Sequence, residues 1–384
     1  MTIRVAHIKS NWLPLSENWL YWLVTRMPDE VEDHVMSEKT CNLDRFSVKH
    51  LHVILNNPGL RLLAGVRGLR RAIRCYAYAH IAQRFSPHLI HSHFGFTGWQ
   101  TLPLARQLRV PHVISFYGID VSVPEREKTW RNRYHELFDQ AAAILCQGPH
   151  MIERIIALGA RREQMRLFRL GIEIDHLPYR PRTWTGVEPL RVLIAARFVE
   201  KKGIPYALEA LTRIASRVSL EIHLVGDADD SVGSQAEKLR ITDAIERGGL
   251  ADRIFCHGMM PYESLIELAY RCHVFLSPSV HAVDGDSEGG GLMAANEMAA
   301  TGMPIVTTTH CDIPYYLGGE ENALFAPERD SHALADRLFT LVENRGDWRP
   351  MLDRARKHVE QSYNVVKQGE ELAQIYREVL GFPI

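Results

Sequence analysis

Short apolar runs rich in Val and Ile alternate along the chain with longer segments whose apolar residues recur at helical spacing. This alternation is typical of parallel sheets whose strands are connected by helices. In the first half it predicts strands over Ile3–Lys9, His88–His93, His112–Phe116 and Ala142–Cys146. It predicts helices there over Glu17–Arg26, Arg61–Arg84, Arg126–Gln140 and Pro149–Leu158. We therefore expect an α/β protein.

The second half repeats the pattern after a short interruption. Strands are predicted over Leu190–Ala196, Leu220–Val225, Arg253–Cys256, His273–Ser277 and Pro304–Thr308. Residues 178–189 (PYRPRTWTGVEP) contain three prolines and no apolar period, which is typical of a linker. We therefore expect an N-terminal Rossmann-like domain over residues 1–180 and a C-terminal one over residues 189–364.

The last segment, residues 365–384, is predicted as a C-terminal helix. Its apolar residues Leu372, Ile375, Tyr376 and Val379 recur at helical spacing. We expect this helix to pack back toward the N-terminal domain. Two doubly wound domains that face each other would leave a cleft at the carboxyl ends of both sheets, where such sheets bind ligands.

Composition excludes several classes of protein. The 384 residues carry a formal net charge of −1, so the overall basic excess of a nucleic-acid-binding protein is absent. The six cysteines show neither zinc-ligand spacing nor the density of a disulfide scaffold. The N-terminus lacks the pattern of a signal peptide, and no apolar run reaches the length of a membrane span. We expect a soluble cytoplasmic protein with no nucleic-acid partner.

Most of the candidate chemistry lies in residues 277–304 (SPSVHAVDGDSEGGGLMAANEMAATGMP), which join a predicted strand to a helix beginning near Leu292. Glu288 and the run Gly289–Gly291 fall at the helix N-terminus, and Glu297 lies about one and a half turns inside the helix. Glycines let a ligand approach the backbone, and helix N-terminal N–H groups favour anionic or hydroxyl-rich groups. A glycine-rich turn with two exposed carboxylates is the simpler alternative.

A second strand-to-helix turn in the same half favours the functional interpretation. Residues 195–203 (AARFVEKKG) follow a predicted strand and place Arg197 and Lys202 at its carboxyl end. A guanidinium and an ammonium suit a diphosphate. The alternative is a solvated run of charges, which is what we expect of Lys201.

Taken together, these motifs resemble those of the retaining sugar-nucleotide glycosyltransferases of the GT-B fold, glycosyltransferase family 4. Residues 197–203 are similar to the family's glycine, arginine and lysine signature, and residues 224–227 (LVGD) to its Val-Gly-Asp strand end. Residues 297–304 (EMAATGMP) closely resemble its Glu-Ala-Met-Ala-x-Gly-x-Pro motif. Residues 14–18 (PLSEN) resemble a loop of exopolysaccharide and lipopolysaccharide transferases, and residues 170–175 (LGIEID) the family's Gly-Ile-Asp turn.

The resemblance implies a role for each matching residue. Arg197 and Lys202 would hold the diphosphate of a nucleotide-sugar donor. Glu297 would bind the ribose hydroxyls, and Glu288 would contact the transferred sugar. The backbone amides of Gly289, Gly290, Gly291 and Leu292 would lie close to the donor.

The chain departs from the family pattern at two places. Eight residues separate Glu288 from Glu297, one more than usual because of an extra glycine. Tyr117 in residues 115–122 (SFYGIDVS) stands where many members have a histidine that reaches the donor phosphate or the acceptor. His93 at the end of a neighbouring predicted strand is a candidate replacement, although a lone histidine is more often structural. Ser16, His93, Tyr117 and Asp120 are the candidate acceptor or phosphate contacts.

The activity implied is transfer of a hexose from a UDP- or GDP-sugar to a glycan or a lipid-linked acceptor, in exopolysaccharide or lipopolysaccharide biosynthesis. The resemblance implies no cofactor and no metal, and we interpret Asp284 and Asp286 as a solvated loop. Two alternatives remain: a sugar-nucleotide epimerase on the same fold, because fold does not fix chemistry, and a non-catalytic sugar-nucleotide-binding subunit. A nicotinamide dehydrogenase is disfavoured because neither domain opens on a GxGxxG turn.

The first half also carries a local excess of basic residues. Between Phe46 and Ile119 the chain has Lys49 and eight arginines but no acidic residue. Arg67, Arg70, Arg71 and Arg74 would form one stripe on a helix, with apolar residues on the opposite side. Such a helix suggests peripheral contact with an anionic membrane. The alternative is a surface helix whose arginines pair with acidic residues elsewhere.

Overall fold

The computed structural model describes residues 2–14, 17–54, 70–123 and 127–382. The chain divides into two compact units, one of residues Met1–Glu173 with Ser362–Ile384 and one of residues Ile174–Gln361. Each unit is built around one parallel sheet, so the predicted α/β class is confirmed.

The first unit has a seven-stranded sheet in the order β3-β2-β1-β4-β5-β6-β7. Every neighbouring pair in it is parallel. The strand order reverses between β1 and β4, which makes their carboxyl ends the switch point of the sheet. The strands are β1 Ile3–Trp12, β2 Val31–Thr40, β3 Leu51–Val53, β4 Leu89–His93, β5 His112–Ser115, β6 Ala143–Cys146 and β7 Met165–Leu167.

The second unit has a six-stranded sheet in the order β10-β9-β8-β11-β12-β13, also parallel throughout. Its switch point lies between β8 and β11. The strands are β8 Leu190–Ala195, β9 Leu220–Val225, β10 Ile254–Gly258, β11 Val274–Ser277, β12 Ile305–Thr308 and β13 Leu324–Ala326.

Helices connect these strands. In the first unit they are α1 Asn18–Thr25, α2 Arg70–Ala82, α3 Gly95–Leu108, α4 Ile119–Ser122, α5 Lys128–Phe138 and α6 Pro149–Ala157, with the C-terminal α14 Val365–Leu380. In the second they are α7 Ile204–Ile214, α8 Val232–Arg247, α9 Tyr262–Ala269, α10 Met293–Ala300, α11 Ile313–Leu317 and α12 Ser331–Glu343, and α13 Trp348–Ser362 ends where the chain returns to the first unit.

The nine predicted strands are present, with ends that differ by about three residues or fewer. The pattern missed β2, β3, β7 and β13, of which β2 is the instructive case. Its buried positions include His34 and Glu38, which an apolar pattern cannot reveal. Each has a polar partner: His34 bonds Glu32 at 3.0 Å, and Glu38 pairs with Arg74 at 2.5 Å. A buried polar strand is therefore stable because its side chains are paired.

The segment predicted as a linker, residues 178–189, instead belongs to the second unit. Arg182 is 7% exposed, and its guanidinium donates to the carbonyl oxygens of Ala269, Cys272 and Thr301. The chain enters this unit at Ile174 and leaves it after Gln361, several residues earlier than the predicted boundaries at 180 and 364. The three prolines correctly indicated that residues 178–189 are irregular. They did not indicate that this segment packs on the second unit.

Helix α14 packs within the first unit. The Tyr376 hydroxyl bonds His91 Nδ1 at 2.6 Å, and a Cβ at Gly369 would lie 2.3 Å from the carbonyl oxygen of Arg26. A glycine at position 369 therefore lets the helix approach the end of α1 closely.

The basic stripe is not a uniformly solvated face. The Arg71 guanidinium stacks 3.8 Å from the Trp99 ring centroid and donates to the Trp99 carbonyl oxygen. Arg74 pairs with Glu38, and only the Arg70 side chain, 61% exposed, remains largely in solvent. Arg61 and Arg67 lie outside the described residues. Arg74 thus follows the alternative in which the arginines of this helix pair with acidic residues elsewhere, and Arg71 is held by Trp99.

Among the described residues, no helix combines the length and the apolar character that crossing a membrane requires.

We predict that Arg74→Ala lowers the free energy of unfolding by about 3 kcal/mol, because it leaves the Glu38 carboxylate buried without its partner. Arg70→Ala is the matched control, since its guanidinium lies 4.0 Å from the same carboxylate but is mostly exposed. It should cost less than about 1 kcal/mol. Urea unfolding followed by circular dichroism measures both, and equal losses would contradict this assignment.

Candidate active site

The loops that follow β8 and β11 meet at the switch point of the second sheet. Gly203 has a φ of 62°, and a Cβ there would lie 1.9 Å from the carbonyl oxygen of Pro278. The Val280 amide donates to the carbonyl oxygen of Lys201 at 2.8 Å. Only glycine fits at this contact, which holds the two charged loops in one arrangement.

Lys202 and Glu288 form an ion pair across these loops. The Lys202 Nζ lies 2.7 Å from Glu288 Oε1, with side-chain exposures of 15% and 9%. The Ser279 hydroxyl donates to the same oxygen at 3.0 Å. Burial would raise the pKa of Glu288, but the charges of Lys202 and Lys201 outweigh it and hold that pKa at about 2. The carboxylate therefore stays ionised at neutral pH.

Lys201 is not the solvated lysine that the sequence suggested. Its side chain is 11% exposed, and its Nζ lies 3.1 Å from a carboxylate oxygen of Asp286 and 3.0 Å from the carbonyl oxygen of Ser287. Asp286 is therefore a partner of Lys201 rather than part of a free acidic loop. This contact fixes the loop immediately before Glu288.

The three glycines after Glu288 meet different constraints. Gly289 has a φ of 69°, which favours glycine. The Gly290 amide donates to the carbonyl oxygen of Glu288 at 2.8 Å. A Cβ on Gly291 would lie 1.7 Å from the Tyr316 ring. Internal packing thus accounts for Gly291, and the run closes a tight turn before Leu292.

Helix α10 begins after Leu292 without a side-chain cap and carries Glu297. The Tyr262 hydroxyl donates to Glu297 Oε1 at 3.1 Å. Burial raises the pKa of Glu297 to about 7, although the Tyr262 hydrogen bond opposes the shift. The two glutamates therefore differ in environment: Glu288 has a cation beside it, and among the described residues Glu297 is bonded by the Tyr262 hydroxyl.

Arg197 is exposed on the loop after β8. Its charge, after burial and the charge of Lys201, contributes to lowering the pKa of Lys202. Gly226, with a φ of 133°, lies beneath this loop, because a Cβ there would lie 1.8 Å from the Ala196 carbonyl oxygen. The glycine of the Val-Gly-Asp strand end therefore lets the loop that carries Arg197 pack closely against β9.

His310 and Glu328 support the site and were missed by sequence reasoning. The Glu288 amide donates to His310 Nε2 at 3.1 Å, so His310 carries its proton on Nδ1 and donates it to Glu328 at 2.8 Å. His310 is 0% exposed. The sequence did offer one indication of this role: His310 follows β12 directly and so lies at the carboxyl edge of the same sheet.

In the first unit, His93 ends β4 and Tyr117 follows β5, and His93 Nδ1 lies 2.7 Å from the Tyr117 hydroxyl. Asp120 is fully buried, and its carboxylate accepts from the amides of Gly95, Tyr117 and Gly118. Asp120 thus holds the loop that carries Tyr117. Ser16 lies outside the described residues.

Within the described residues, three groups of side chains have ligand types and spacing that could hold a metal ion. They are His7, His91 and His93; His281, His310 and Cys311; and Glu32, His34 and His50. The second group adjoins Glu288 through His310, and there burial raises the pKa of the Cys311 thiol to about 11, which disfavours the thiolate that a metal prefers. The expectation of a metal-independent protein stays a prediction.

The sequence is similar to known glycosyltransferase families and to named members of them. Residues 182–362 match the model of glycosyl transferases group 1, and residues 23–171 match the glycosyl transferase 4-like domain. A protein named as a colanic acid biosynthesis glycosyltransferase, WcaL of Escherichia coli (strain K12), is 30% identical over 77% of this chain and 71% of its own. The amylovoran biosynthesis glycosyltransferase AmsK of Erwinia amylovora is 30% identical over 76% and 70%.

Structural similarity covers nearly the whole chain. The crystal structure of Anabaena HepE in complex with UDP and glucose has a TM-score of 0.79 over 98% of this chain and 100% of that one, at 17% identity. At this identity the likeness concerns the fold alone. The paired Rossmann-like units, the family matches and the named relatives agree, and the chain is a member of the group 1 glycosyltransferases with the GT-B fold.

Proposed function

We propose that this protein is a retaining glycosyltransferase that moves a hexose from a UDP- or GDP-sugar to a glycan or lipid-linked acceptor. The observation that carries the proposal is the contact of Lys202 with Glu288 at 2.7 Å, at the start of the helix that bears Glu297. A cation, a carboxylate and helix N-terminal amides at one sheet edge suit the phosphate and sugar parts of one donor.

The leaving group determines how such a site works. When the bond between the sugar and the diphosphate breaks, negative charge grows on the phosphate oxygens. Lys202 and Arg197 supply positive charge there, and the uncapped start of α10 adds backbone N–H groups and its dipole. Fixed charges of this kind need no reorganisation during the reaction. We assign the neutralisation of the diphosphate to these groups and propose a metal-independent reaction.

The two glutamates would bind different hydroxyls. Glu288 is ionised and fixed by Lys202 and Ser279, so we assign it to hydroxyls of the transferred sugar. Glu297 is bonded only by Tyr262 among the contacts described, and we assign it to the ribose. A ribose that donates to Glu297 would stabilise its ionised form, since hydrogen bonds to a carboxylate favour the charged state.

The relatives suggest where the product goes. WcaL and AmsK are named for the biosynthesis of colanic acid and amylovoran, so we propose a role in exopolysaccharide or lipopolysaccharide biosynthesis. UDP-glucose is the first donor to test, because the HepE structure contains UDP and glucose. We propose that the protein works in the cytoplasm, with Arg70 as a candidate for peripheral contact with an anionic membrane.

The first experiment is a thermal-shift screen with UDP, GDP, ADP and their sugars, because a ligand that binds only the folded state raises its apparent stability. The donor so identified is then incubated with and without extracted lipid-linked glycan. Product that forms only with acceptor and keeps the anomeric configuration supports the proposal. Interconversion of the donor alone would identify an epimerase, and binding without either reaction a non-catalytic subunit.

We predict that Lys202→Gln and Arg197→Gln each weaken binding of the nucleoside diphosphate by about 10- to 100-fold, the range of a hydrogen bond to a charged group. Binding of the bare nucleoside should change little, because it has no phosphate. Lys357→Gln, an exposed lysine on α13, is the control. Calorimetry that finds equal losses for nucleoside and diphosphate would remove the phosphate assignment.

Glu297→Gln should weaken binding of the nucleoside itself. It should also stabilise the unliganded protein at pH 8. The pKa of Glu297 is raised to about 7 in the folded state, so its ionisation destabilises the fold as pH rises from about 4.5 through 7. The gain in Tm over wild type should therefore be larger at pH 8 than at pH 5. Glu267→Gln, which changes an exposed glutamate on α9, is the matched control.

His310→Phe should reduce the rate of transfer by about 10-fold or more, with a smaller effect on nucleotide affinity. It removes the acceptor of the Glu288 amide and so releases the loop that holds this carboxylate. His310→Gln keeps an acceptor at the same reach and should recover part of the rate. Equal kcat in both variants and wild type would show that His310 has no positioning role.

A further inference from the structure

A hydrogen-bond network of four polar side chains, Asp33, His7, His93 and Tyr117, runs through the first unit to the carboxyl edge of its sheet. Asp33 Oδ1 lies 2.7 Å from His7 Nε2, and His7 Nδ1 lies 3.0 Å from His93 Nε2. His93 Nδ1 lies 2.7 Å from the Tyr117 hydroxyl. The members come from β2, β1, β4 and the loop after β5, so the network crosses the switch point of the sheet.

The first three side chains of this network are buried. His7 is 1% and His93 0% exposed, and the side chain of Asp33 is 9% exposed. Burial lowers the pKa of His93 well below its usual value. Burial raises the pKa of Tyr117 well above its usual value, against a hydrogen bond from Ser115. His93 and Tyr117 are therefore both neutral at physiological pH.

With one proton on each histidine, the hydrogen bonds of this network can point in one direction only. An Asp33 carboxylate has acceptor oxygens alone, so His7 donates from Nε2 and accepts at Nδ1. His93 must then donate from Nε2 and accept at Nδ1. The Tyr117 hydroxyl therefore donates its proton inward to His93, and its oxygen keeps lone pairs for other partners.

The surroundings fix Tyr117 in this position. Its ring lies 4.4 Å from that of Trp19 and 4.8 Å from that of Phe94, between centroids. Its backbone amide donates to Asp120 at 3.0 Å. Tyr117 is partly exposed, at the edge of a parallel sheet where ligands bind.

We propose that His7 and His93 each carry one proton, that the Tyr117 oxygen is therefore a hydrogen-bond acceptor for a sugar hydroxyl, and that Asp33 sets this polarity through the two histidines. The ligand class rests on the proposed function, whereas the polarity rests on the hydrogen-bond network and on the single proton of each histidine. Asp33 and His7 are positioning residues, because they act on the ligand only through His93 and Tyr117.

The same polarity disfavours a phosphate at Tyr117. A phosphate offers acceptor oxygens, and the only proton of the Tyr117 hydroxyl is already given to His93. Two acceptors facing each other without a proton repel, and a buried polar group without a partner costs about 1–3 kcal/mol. Of the two contacts expected here from the sequence, phosphate or acceptor, this arrangement favours a hydroxyl-bearing sugar.

A metal ion is the alternative occupant of this cluster, since His7, His91 and His93 have metal-ligand spacing. All six of their ring nitrogens have hydrogen-bond partners here: Asp33, Tyr376, Ser115 and Tyr117, with His7 and His93 bonded to each other. A metal would have to displace several of these bonds. Metal analysis of the purified protein is therefore one arm of the test.

The tautomers are measured first, on the full-length protein without ligand. With nitrogen-15-labelled histidine, NMR should show His7 and His93 each with one proton, on Nε2. In Asp33→Asn the amide can offer either a donor or an acceptor, so His93 should populate both tautomers. A proton on His93 Nδ1 in the wild type, one unchanged tautomer in Asp33→Asn, or a stoichiometric divalent metal would each overturn the proposal.

The ligand class is measured next, by carbon-13 NMR of the Tyr117 ring carbon that bears the oxygen. Neutral hexoses, the donor found in the thermal-shift screen and inorganic phosphate are titrated separately. A hexose or the donor should shift this resonance, and phosphate should not. Tyr376→Phe, which removes a hydroxyl from His91 instead, should keep the response. A response to phosphate alone, or to none of the probes, would overturn the acceptor role while the tautomer result stands by itself.

Discussion

The candidate site of the second unit depends on one constraint: a buried ammonium and a buried carboxylate must be paired. Taking both charges from water costs several kcal/mol for each, and an unpaired survivor would destabilise the fold strongly. Lys202 and Glu288 lie on different loops, so their pairing at 2.7 Å requires the turn at Gly203, the Lys201 contact with Asp286 and the His310 bond to the Glu288 amide. The rest of the site is the structure that keeps this pair together.

The two glutamates illustrate how environment divides the work of similar groups. Glu288 keeps a pKa of about 2 because two lysines outweigh the cost of its burial, whereas burial raises the pKa of Glu297 to about 7 against a single hydrogen bond from Tyr262 among the described residues. Pairs of carboxyl groups with separated pKa values mark distinct chemical tasks. A donor that brings hydroxyls to Glu297 and phosphates to Lys202 would satisfy both groups at once.

Both units place their polar residues at the point where strand order reverses, because only there do two neighbouring loops diverge and leave room between them. In the first unit a hydrogen-bond network runs from Asp33 to Tyr117, and in the second Lys202 and Glu288 form an ion pair. In our proposal, the network binds hydroxyl groups and the basic residues around the ion pair bind a diphosphate. The same topology would then provide both kinds of recognition that transfer of a sugar requires.

The sequence by itself determined the α/β class, nine of the strands and the motifs around Arg197, Lys202, Glu288 and Glu297, because apolar periodicity and short motifs are local. It did not reveal β2, whose buried His34 and Glu38 look solvated until Glu32 and Arg74 meet them. Nor did it reveal that residues 178–189 pack on the second unit, that Lys201 is engaged by Asp286, or that Arg71 stacks on Trp99. Nor did it reveal the contact of His310 with the Glu288 amide or the hydrogen bond between Tyr117 and His93. Apart from Glu32, which lies two residues from His34 on the same strand, these partners are distant along the chain. A polar side chain acquires its role only from the partner that folding brings to it.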